Sequence, residues 1–370
     1  MPARVEITPL ERADWLTASA RFLDHTYLQA WDYGVGCAAQ VGAVSEHVAV
    51  RQGDEIIAIS EVRTKRVPGT GTGVAAIRTG PLARRGLATD EEHLGLALAA
   101  LRDHFVGQRG FVLRLLGIPG LGDWAATQER AMLSAGFHTS SRGNPYRTII
   151  IDLDRSTSEV RAGLHRKWRN HLNRGERNEL IITAGDSTEL FDQFLPLYES
   201  STERKGFSSH LDGGFYRSLH ATLPPEERFR IRLVHSSDGE LLGGAVSSFL
   251  GDTCHYVMGG INPRGMRDKA SYAIQWHVIE EALERGLKLY ELGGIDPAAN
   301  PTVHHFKSRM GGEDVWAPGP FEILPRGLGK WAALAAEKLY RSLRRPNRRG
   351  DTEQRSRASA WSAAKWAEQR

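Results

Sequence analysis

Two stretches of similar design decide the fold: RQGDEIIAISEV at residues 51–62 and HSSDGELLGGAVSS at residues 235–248. In each, a glycine-containing turn separates two β-rich runs, which is the pattern of a β-hairpin. Each hairpin is followed later by a helix, a glycine and a strand, as MLSAGF at 132–137 and ALERGL at 282–287. Glycine suits the left-handed residue that ends a helix. The shared order of elements predicts a duplicated unit.

The wider pattern has the same order in both halves. Hydrophobic periodicity predicts helices at 14–22, 91–107, 124–135, 161–178, 187–205 and 271–285, and strands at 47–50, 56–63, 74–77, 111–116, 147–153, 229–235, 241–250, 253–258 and 289–292. Hairpins with intervening helices favour an α+β acyltransferase-like domain over a doubly wound sheet. The predicted fold class is therefore α+β, with two tandem GNAT-like (acyl-CoA N-acyltransferase-like) domains at 1–153 and 154–307.

Length and composition agree with two globular domains in a reducing compartment. The chain has 370 residues, of which 41% are hydrophobic and 25% charged. No apolar run approaches the roughly 18 to 20 residues that span a bilayer, and residues 1–10 lack a signal peptide's apolar stretch. Cys37 and Cys254 are the only cysteines, too few for a zinc site or a disulfide framework. We expect a cytoplasmic location and no metal.

The positive charge is concentrated in two segments. Residues 330–370 carry eleven Lys or Arg and four Asp or Glu. Their net charge of +7 exceeds the net charge of +4 of the whole chain. Residues 346–370 are expected to be a basic, loosely ordered tail. Within residues 161–177 six Lys or Arg stand against one Glu. Such clusters attract phosphate backbones or the anionic inner membrane surface, although many are only solvated helix faces.

The densest set of candidate site residues is YELGGIDPAANPTVHHFKSRMGG at 290–312. A predicted strand ends at Leu292, and a Gly-Gly pair then permits backbone conformations that a Cβ would forbid. Asp-Pro and Asn-Pro turns follow, and after them His304, His305, Phe306 and Lys307 begin a short helix. Polar and ionisable groups just beyond a strand end, on a braced loop, are typical of a functional site.

This segment resembles the strand-loop-helix signature of the FemABX family, the tRNA-dependent aminoacyltransferases that build peptidoglycan cross-bridges. The resemblance extends through the chain in order: HTYLQAWDYG (25–34), IRTGPL (77–82), LHRKWRNHLNRGERNEL (164–180), YESSTERKGF (198–207) and CHYVMGGINP (254–263). Each motif alone is weak. Their order, together with Gly-Gly-Ile-Asp-Pro and Phe-Lys, is specific.

The resemblance implies a compact member with the acceptor in a cleft of the first domain, to which residues of about 308–345 return. It implies that Lys307 acts on the donor ester, that Phe306 shapes the site beside it, and that the acceptor contacts or cleft lining include Gln29, Trp31, Arg204 and Tyr256. The implied reaction moves an aminoacyl group from aminoacyl-tRNA to the amine of a peptidoglycan precursor, either UDP-MurNAc-pentapeptide or its lipid-linked form. The tRNA serves as co-substrate, and no cofactor is expected.

The residue types suit that chemistry. An aminoacyl ester is already activated, and a lysine ammonium stabilises the negative charge that develops on ester and ribose oxygens. The attacking amine must lose a proton, because its pKa is about 10.4. Four candidate bases lie nearby in the sequence, and none is preferred: Glu291, Asp296, His304 and His305. A tRNA oxygen is the alternative.

Three alternatives stay open from the sequence. An acyl-CoA N-acyltransferase is disfavoured because Arg267 and Lys269 replace the small residues of a pyrophosphate-binding loop. A nucleic-acid-binding protein lacks a recognisable motif. A FemABX-like transferase of a peptide or nucleoside antibiotic pathway fits nearly as well, since Arg84 and Arg85 stand where many wall enzymes carry acids. That arginine pair could serve an extra acceptor carboxylate.

Overall fold

The computed structural model describes residues 4–205, 212–327, 331, 334 and 335. These residues form two compact units, each built around a seven-stranded mixed sheet. The first unit holds residues 4–22, 34–147 and the described residues from 316 onward. The second holds residues 23–33 and 148–315. No helix in these ranges is both long and apolar enough to cross a membrane.

Between residue 4 and Asp152, the described chain contains seven strands and four α-helices. In chain order they are β1 (Val5–Pro9), α1 (Arg12–Ser19), α2 (Trp31–Gln40), β2 (Val44–Gln52), β3 (Glu55–Arg66), β4 (Gly73–Arg78), α3 (Asp90–Arg102), β5 (Phe111–Leu116), α4 (Asp123–Ser134), β6 (His138–Thr139) and β7 (Arg147–Asp152). A 3-10 turn at Tyr27–Gln29 precedes α2, and a π-helical turn at Asp103–Gln108 extends α3.

The remaining described chain contains seven helices and seven strands. They are α5 (Thr157–Gly163), α6 (Arg166–Glu176), β8 (Ile181–Gly185), α7 (Thr188–Lys205), α8 (Gly213–Thr222), β9 (Arg230–His235), β10 (Leu241–Leu250), β11 (Thr253–Ile261), α9 (Pro263–Arg267), α10 (Ala270–Glu284), β12 (Leu289–Glu291), α11 (Pro301–Lys307), β13 (Glu313–Trp316) and β14 (Phe321–Ile323). A 3-10 turn lies at Pro225–Glu227.

The first sheet has the order β1-β2-β3-β4-β5-β14-β6. Only the β4–β5 pair is parallel among its described pairings. Helix α3 packs on this sheet because its apolar residues recur every three or four positions, and the core includes Leu94, Leu98, Leu101, Ile57 and Phe111. Full burial of each such side chain contributes about 1.5–3 kcal/mol.

The second sheet has the order β13-β7-β12-β11-β10-β9-β8. Its strands β11 and β12 are parallel, while β8–β9, β9–β10, β10–β11 and β12–β7 are antiparallel. Its core joins the sheet to helices α6 and α10 through Trp168, Leu172, Trp276, Ile279 and Tyr290. Counted from β1 in the first sheet and from β8 in the second, the strands follow the same order. Five consecutive strands are followed by one strand from elsewhere in the chain, and then by the next strand in sequence. The predicted duplication within an α+β fold is observed.

The sixth place in each sheet is filled by a strand from elsewhere in the chain. In the first sheet it is β14, which pairs antiparallel with both β5 and β6. In the second it is β7, which pairs antiparallel with β12. The sequence boundary at 153/154 therefore differs from the structure, where β7 belongs to the second sheet and residues 23–33 cluster with the second unit.

Two further differences concern the helices and the tail. The helix predicted at 161–178 is two helices, because the chain is extended at Leu164 and His165 and the His165 side chain caps α6 by accepting from Lys167 N at 3.2 Å. The basic tail at 346–370, and the chain from 336 to 345 that was expected to complete the first domain, lie outside the described residues.

Candidate active site

The candidate site lies where the two parallel strands of the second sheet part. Strand β12 pairs with β11 only as far as Glu291 opposite His255, whereas β11 continues to Ile261. Gly293 then turns the chain away with φ at +73°. A Cβ at this position would lie 2.9 Å from the carbonyl oxygen of Tyr256, so only glycine fits here without displacement of the backbone. The divergence leaves the face of Tyr256 beside the glycine pair.

Lys307 reaches this divergence from the end of α11. Asn300 caps the helix by accepting from Val303 N at 3.2 Å. The Lys307 ammonium donates to the carbonyl oxygens of Gly293 and Gly294, both at 3.2 Å, and lies 5.6 Å from the centroid of the Tyr256 ring. Lys307 is only 7% exposed. Two bonds to backbone oxygens fix the position of a cation on an otherwise flexible side chain.

A buried polar network holds the glycine pair. Glu291 Oε1 accepts from the Thr148 hydroxyl at 2.5 Å and from Gly293 N at 3.1 Å. The Thr148 hydroxyl also lies 3.0 Å from the carbonyl oxygen of Gly293, and His255 Nε2 lies 3.0 Å from Glu291 Oε2. Glu291 is 2% exposed. This geometry makes Glu291 a positioning residue for the backbone that holds Lys307.

Tyr256 forms one wall of the divergence. Its ring is half-buried and lies against Gly259, where a Cβ would come within 1.8 Å of the phenol oxygen. Burial raises the pKa of the Tyr256 phenol above its ordinary value. Tyr256 therefore stays neutral at physiological pH, so it offers a polar hydroxyl and an aromatic face beside the ammonium of Lys307.

Phe306 holds α11 in place. Its ring lies 5.8 Å from the ring of Trp168 on α6 and 5.2 Å from that of Tyr272 on α10. Aromatic contacts of this kind stabilise packing by about 0.5–1.5 kcal/mol beyond the buried area. Because Phe306 directly precedes Lys307, this packing fixes the point from which the lysine side chain extends.

Arg204 lies near the far end of β11. It is exposed, and its guanidinium donates to the carbonyl oxygen of Ile261 at 2.6 Å. Strand geometry separates Tyr256 and Ile261 by roughly 16 Å along β11. Arg204 is therefore attached to the strand that carries Tyr256, and it does not contact the group around Lys307.

Gln29 and Trp31 belong to the segment 23–33, which packs within the second unit. Tyr27 anchors this segment by edge-on contacts with the rings of His255 and Phe229, at 5.8 Å and 5.6 Å. Gln29 is fully buried, and Trp31 is half-buried. Through Tyr27 and His255, the segment adjoins the network around Glu291. Tyr27, His255 and Thr148 were not predicted from the sequence as site residues. Tyr27 and His255 lie within quoted motifs but have no chemical pattern of their own, and Thr148 lies in none of those motifs.

Of the other candidate bases, Asp296 and His304 lie close to nearby polar groups, whereas His305 is exposed. Asp296 accepts from the backbone N–H groups of Ala298 and Ala299, at 3.0 Å and 2.9 Å, as a turn-forming aspartate does. His304 Nε2 lies 3.8 Å from Asp314 Oδ2, and His305 is exposed on α11. The structure thus gives no geometric preference for either histidine as a base.

In the first unit, the Arg85 guanidinium contacts neighbouring side chains and is not exposed for binding an acceptor carboxylate. Its guanidinium donates to Glu55 Oε1 at 2.8 Å and lies 3.0 Å from His93 Nδ1, and its side chain is 9% exposed. The side chain of Asp90 accepts from the backbone N–H groups of residues 85–87. For Arg85, the sequence hypothesis of an acceptor carboxylate site is therefore not supported.

Comparison with known proteins gives the same fold. Residues 158–308 match the acetyltransferase (GNAT) domain family. A crystal structure of FemX covers 92% of this chain and 100% of its own, with a TM-score of 0.72 and 15% identity. A conserved protein of unknown function from Bacteroides thetaiotaomicron covers 85% and 99%, with a TM-score of 0.52 and 12% identity. The molecule is thus a tandem GNAT-like α+β protein.

A curated relative is similar in sequence to part of the chain. The UDP-N-acetylmuramoylpentapeptide-lysine N(6)-alanyltransferase of Weissella viridescens is 26% identical over 184 residues, which is 49% of this chain. The chain spans about half the length of that relative, 53%. The chain is thus similar to FemX in fold and, over about half of its length, similar in sequence to this alanyltransferase.

Proposed function

We propose that this protein is an aminoacyltransferase that moves an aminoacyl group from aminoacyl-tRNA to the amine of a peptidoglycan precursor. The carrying observation is the buried ammonium of Lys307, fixed by two glycine carbonyls at the divergence of β11 and β12. The relative from Weissella viridescens supports the choice of acceptor, since it is named for alanyl transfer to a lysine of UDP-N-acetylmuramoylpentapeptide.

In the proposed reaction the acceptor amine attacks the ester carbonyl of aminoacyl-tRNA. A C–N bond forms, the ester C–O bond breaks, and the ribose oxygen leaves with a proton that balances the one lost by the amine. Lys307 stabilises the negative charge on these oxygens, which is worth about 2.7–4 kcal/mol for one well-placed donor. Tyr256 and Phe306 define the surroundings of the ammonium. The tRNA is a co-substrate, and the reaction takes place in the cytoplasm with peripheral contact to the membrane surface.

We assign the acceptor to Trp31, Gln29 and Arg204. A tryptophan face stacks on rings, and an arginine binds phosphate or carboxylate by paired hydrogen bonds. Replacement of Trp31 or Arg204 by Ala is expected to raise the KM for the acceptor more than the KM for tRNA. The opposite pattern would show that these residues bind the donor.

The direct test incubates the full chain with pools of radiolabelled aminoacyl-tRNA and one acceptor at a time. The acceptors are UDP-linked pentapeptide, lipid-linked precursor and none, and mass spectrometry detects one added residue. Extension of either wall precursor supports the proposal. Transfer to neither, with tRNA deacylated or consumed by another amine, would favour an antibiotic-pathway transferase.

A further inference from the structure

The exposed face of α6 is a strongly basic surface that the candidate site does not include. We define the α6 basic face as Arg166, Lys167, Arg174 and Arg177, all of which are exposed. On a helix of 3.6 residues per turn these side chains cluster on one side, opposite the buried stripe of the same helix. That stripe consists of Trp168, Leu172 and Gly175.

The charge on this face is not neutralised by the surrounding protein. Within residues 4–205 and 212–327, no ion pair involves any of the four side chains. The single acid of α6, Glu176, is bound through both carboxylate oxygens by Arg161, at 2.8 Å and 2.6 Å. Like charges held close together repel, so the arrangement indicates an anionic partner.

The placement of the cations along the helix supports the same conclusion. Arg166 and Lys167 occupy the first turn of α6, which contains no acidic residue. Cations at a helix N-terminus oppose the helix dipole, whereas an anion there is stabilised by it. A phosphate bound at this end would gain from the helix dipole and from both side chains. The cations in the first turn therefore destabilise the helix when no ligand is bound, and they favour the binding of a phosphate.

The α6 basic face begins next to the segment that carries Lys307. His165, which caps α6, donates its N–H to the carbonyl oxygen of Arg309 at 3.1 Å, and Arg309 is two residues beyond Lys307. Trp168 contacts Phe306, and Gly311 lies so close to Gly163 that a Cβ would come within 2.6 Å of its carbonyl oxygen. From this start α6 extends by about 16 Å.

We propose that the α6 basic face binds the phosphate backbone of the tRNA acceptor stem, whose 3′ end delivers the ester to Lys307. This inference rests on the proposed function for the identity of the RNA. RNA is favoured over a lipid surface because the face adjoins the candidate site. In addition, the apolar residues of α6 are buried, which leaves no side chain to insert into a membrane.

The test compares the full chain with the variant Arg166→Gln/Lys167→Gln/Arg174→Gln. The probe is an RNA hairpin that carries no amino acid and contains the acceptor-stem duplex and a single-stranded 3′ end. Its affinity for the protein is measured at several salt concentrations. We expect at least tenfold weaker binding. We also expect the slope of log affinity against log salt to become shallower by roughly two to three, since each lost phosphate contact contributes about 0.7–0.9.

The matched control is Arg155→Gln/Arg228→Gln/Lys288→Gln. It removes three exposed cations of the same unit and changes the net charge equally. The proposal predicts near-normal RNA affinity and salt slope for this control. Equal losses in both triple variants would overturn it, because they would show only a general effect of net charge. Unchanged RNA binding in the α6 variant would also overturn it.

Two additional measurements separate the remaining outcomes. If the α6 variant loses binding to vesicles with anionic lipid but keeps RNA affinity, the face is a membrane contact and the proposal is wrong. If the α6 variant alone loses hairpin binding while the natural chain transfers no aminoacyl group to any acceptor, the RNA surface stands and the proposed function fails. In a working transferase, the α6 variant raises the KM for tRNA and leaves the KM for the acceptor unchanged.

Discussion

Replacement of Lys307 by Met tests the candidate site most directly. Methionine has a similar length and keeps the aliphatic packing, but it removes the positive charge and the donors to the carbonyl oxygens of Gly293 and Gly294. Loss of one preorganised donor to a developing oxyanion costs about 2.7–4 kcal/mol in the transition state. That cost corresponds to a fall in turnover of roughly a hundredfold to a thousandfold.

The assay is single-turnover transfer with both substrates saturating, accompanied by thermal unfolding of each variant. Binding of either substrate is expected to change little, because the charge that Lys307 stabilises is largest in the transition state. Lys307→Arg serves as the control: it keeps the charge, but its planar head cannot reproduce the position of a compact ammonium, so an intermediate rate is expected. A well-folded Lys307→Met protein with turnover within tenfold of the natural chain would refute the assignment.

Three further predictions concern other parts of the molecule. Glu291→Gln should slow turnover with little change in either KM, because it disturbs the network that positions the glycine pair; a normal rate would make Glu291 merely structural. Glu281→Ala should lower the free energy of unfolding, measured by denaturation, by about 3–5 kcal/mol, because it leaves the buried guanidinium of Arg232 without its carboxylate partner. Glu284 is exposed, so Glu284→Ala should have a small effect in the same assay. Burial lowers the pKa of His25 from 6.5 to about 4, so the unfolded chain binds a proton that the native state does not, and stability falls as the pH drops from 6.5 toward 4. At pH 5 this loss is about 2 kcal/mol, and a His25→Gln variant with an unchanged pH dependence of unfolding would contradict it.

Long periodic elements could be predicted from the sequence, and short ones could not. The hairpin of β2 and β3 follows from alternating apolar residues around a glycine turn, and α4 and α10 end where a glycine follows. Strands β6 and β14 have two and three residues, too few for any periodicity to register. Their places are fixed by pairing with distant strands.

The candidate site divides in the same way. Lys307 was predicted because a family motif surrounds it, and it stays a prediction as a catalytic residue. Two of its hydrogen-bond partners are backbone carbonyls, which leave no trace in a sequence beyond the glycines that carry them. Thr148 and Glu291 meet across 143 positions of the chain. Such a contact depends on the place of β7 in the second sheet, which the sequence boundary at 153/154 did not anticipate.

The late position of β14 has a consequence for how the protein is made. A ribosome releases β5 and β6 early, yet the strand that lies between them emerges only after every strand of the second sheet has been synthesised. Until then β5 is an unpaired edge and β6 lacks the strand it pairs with, and unpaired edges are prone to pair with other chains. The second sheet can be completed before β14 is synthesised, whereas the first sheet cannot. The N-terminal unit should therefore finish folding last, in contrast to the usual order for tandem domains. Chaperone dependence during translation is therefore expected to be concentrated in the N-terminal half.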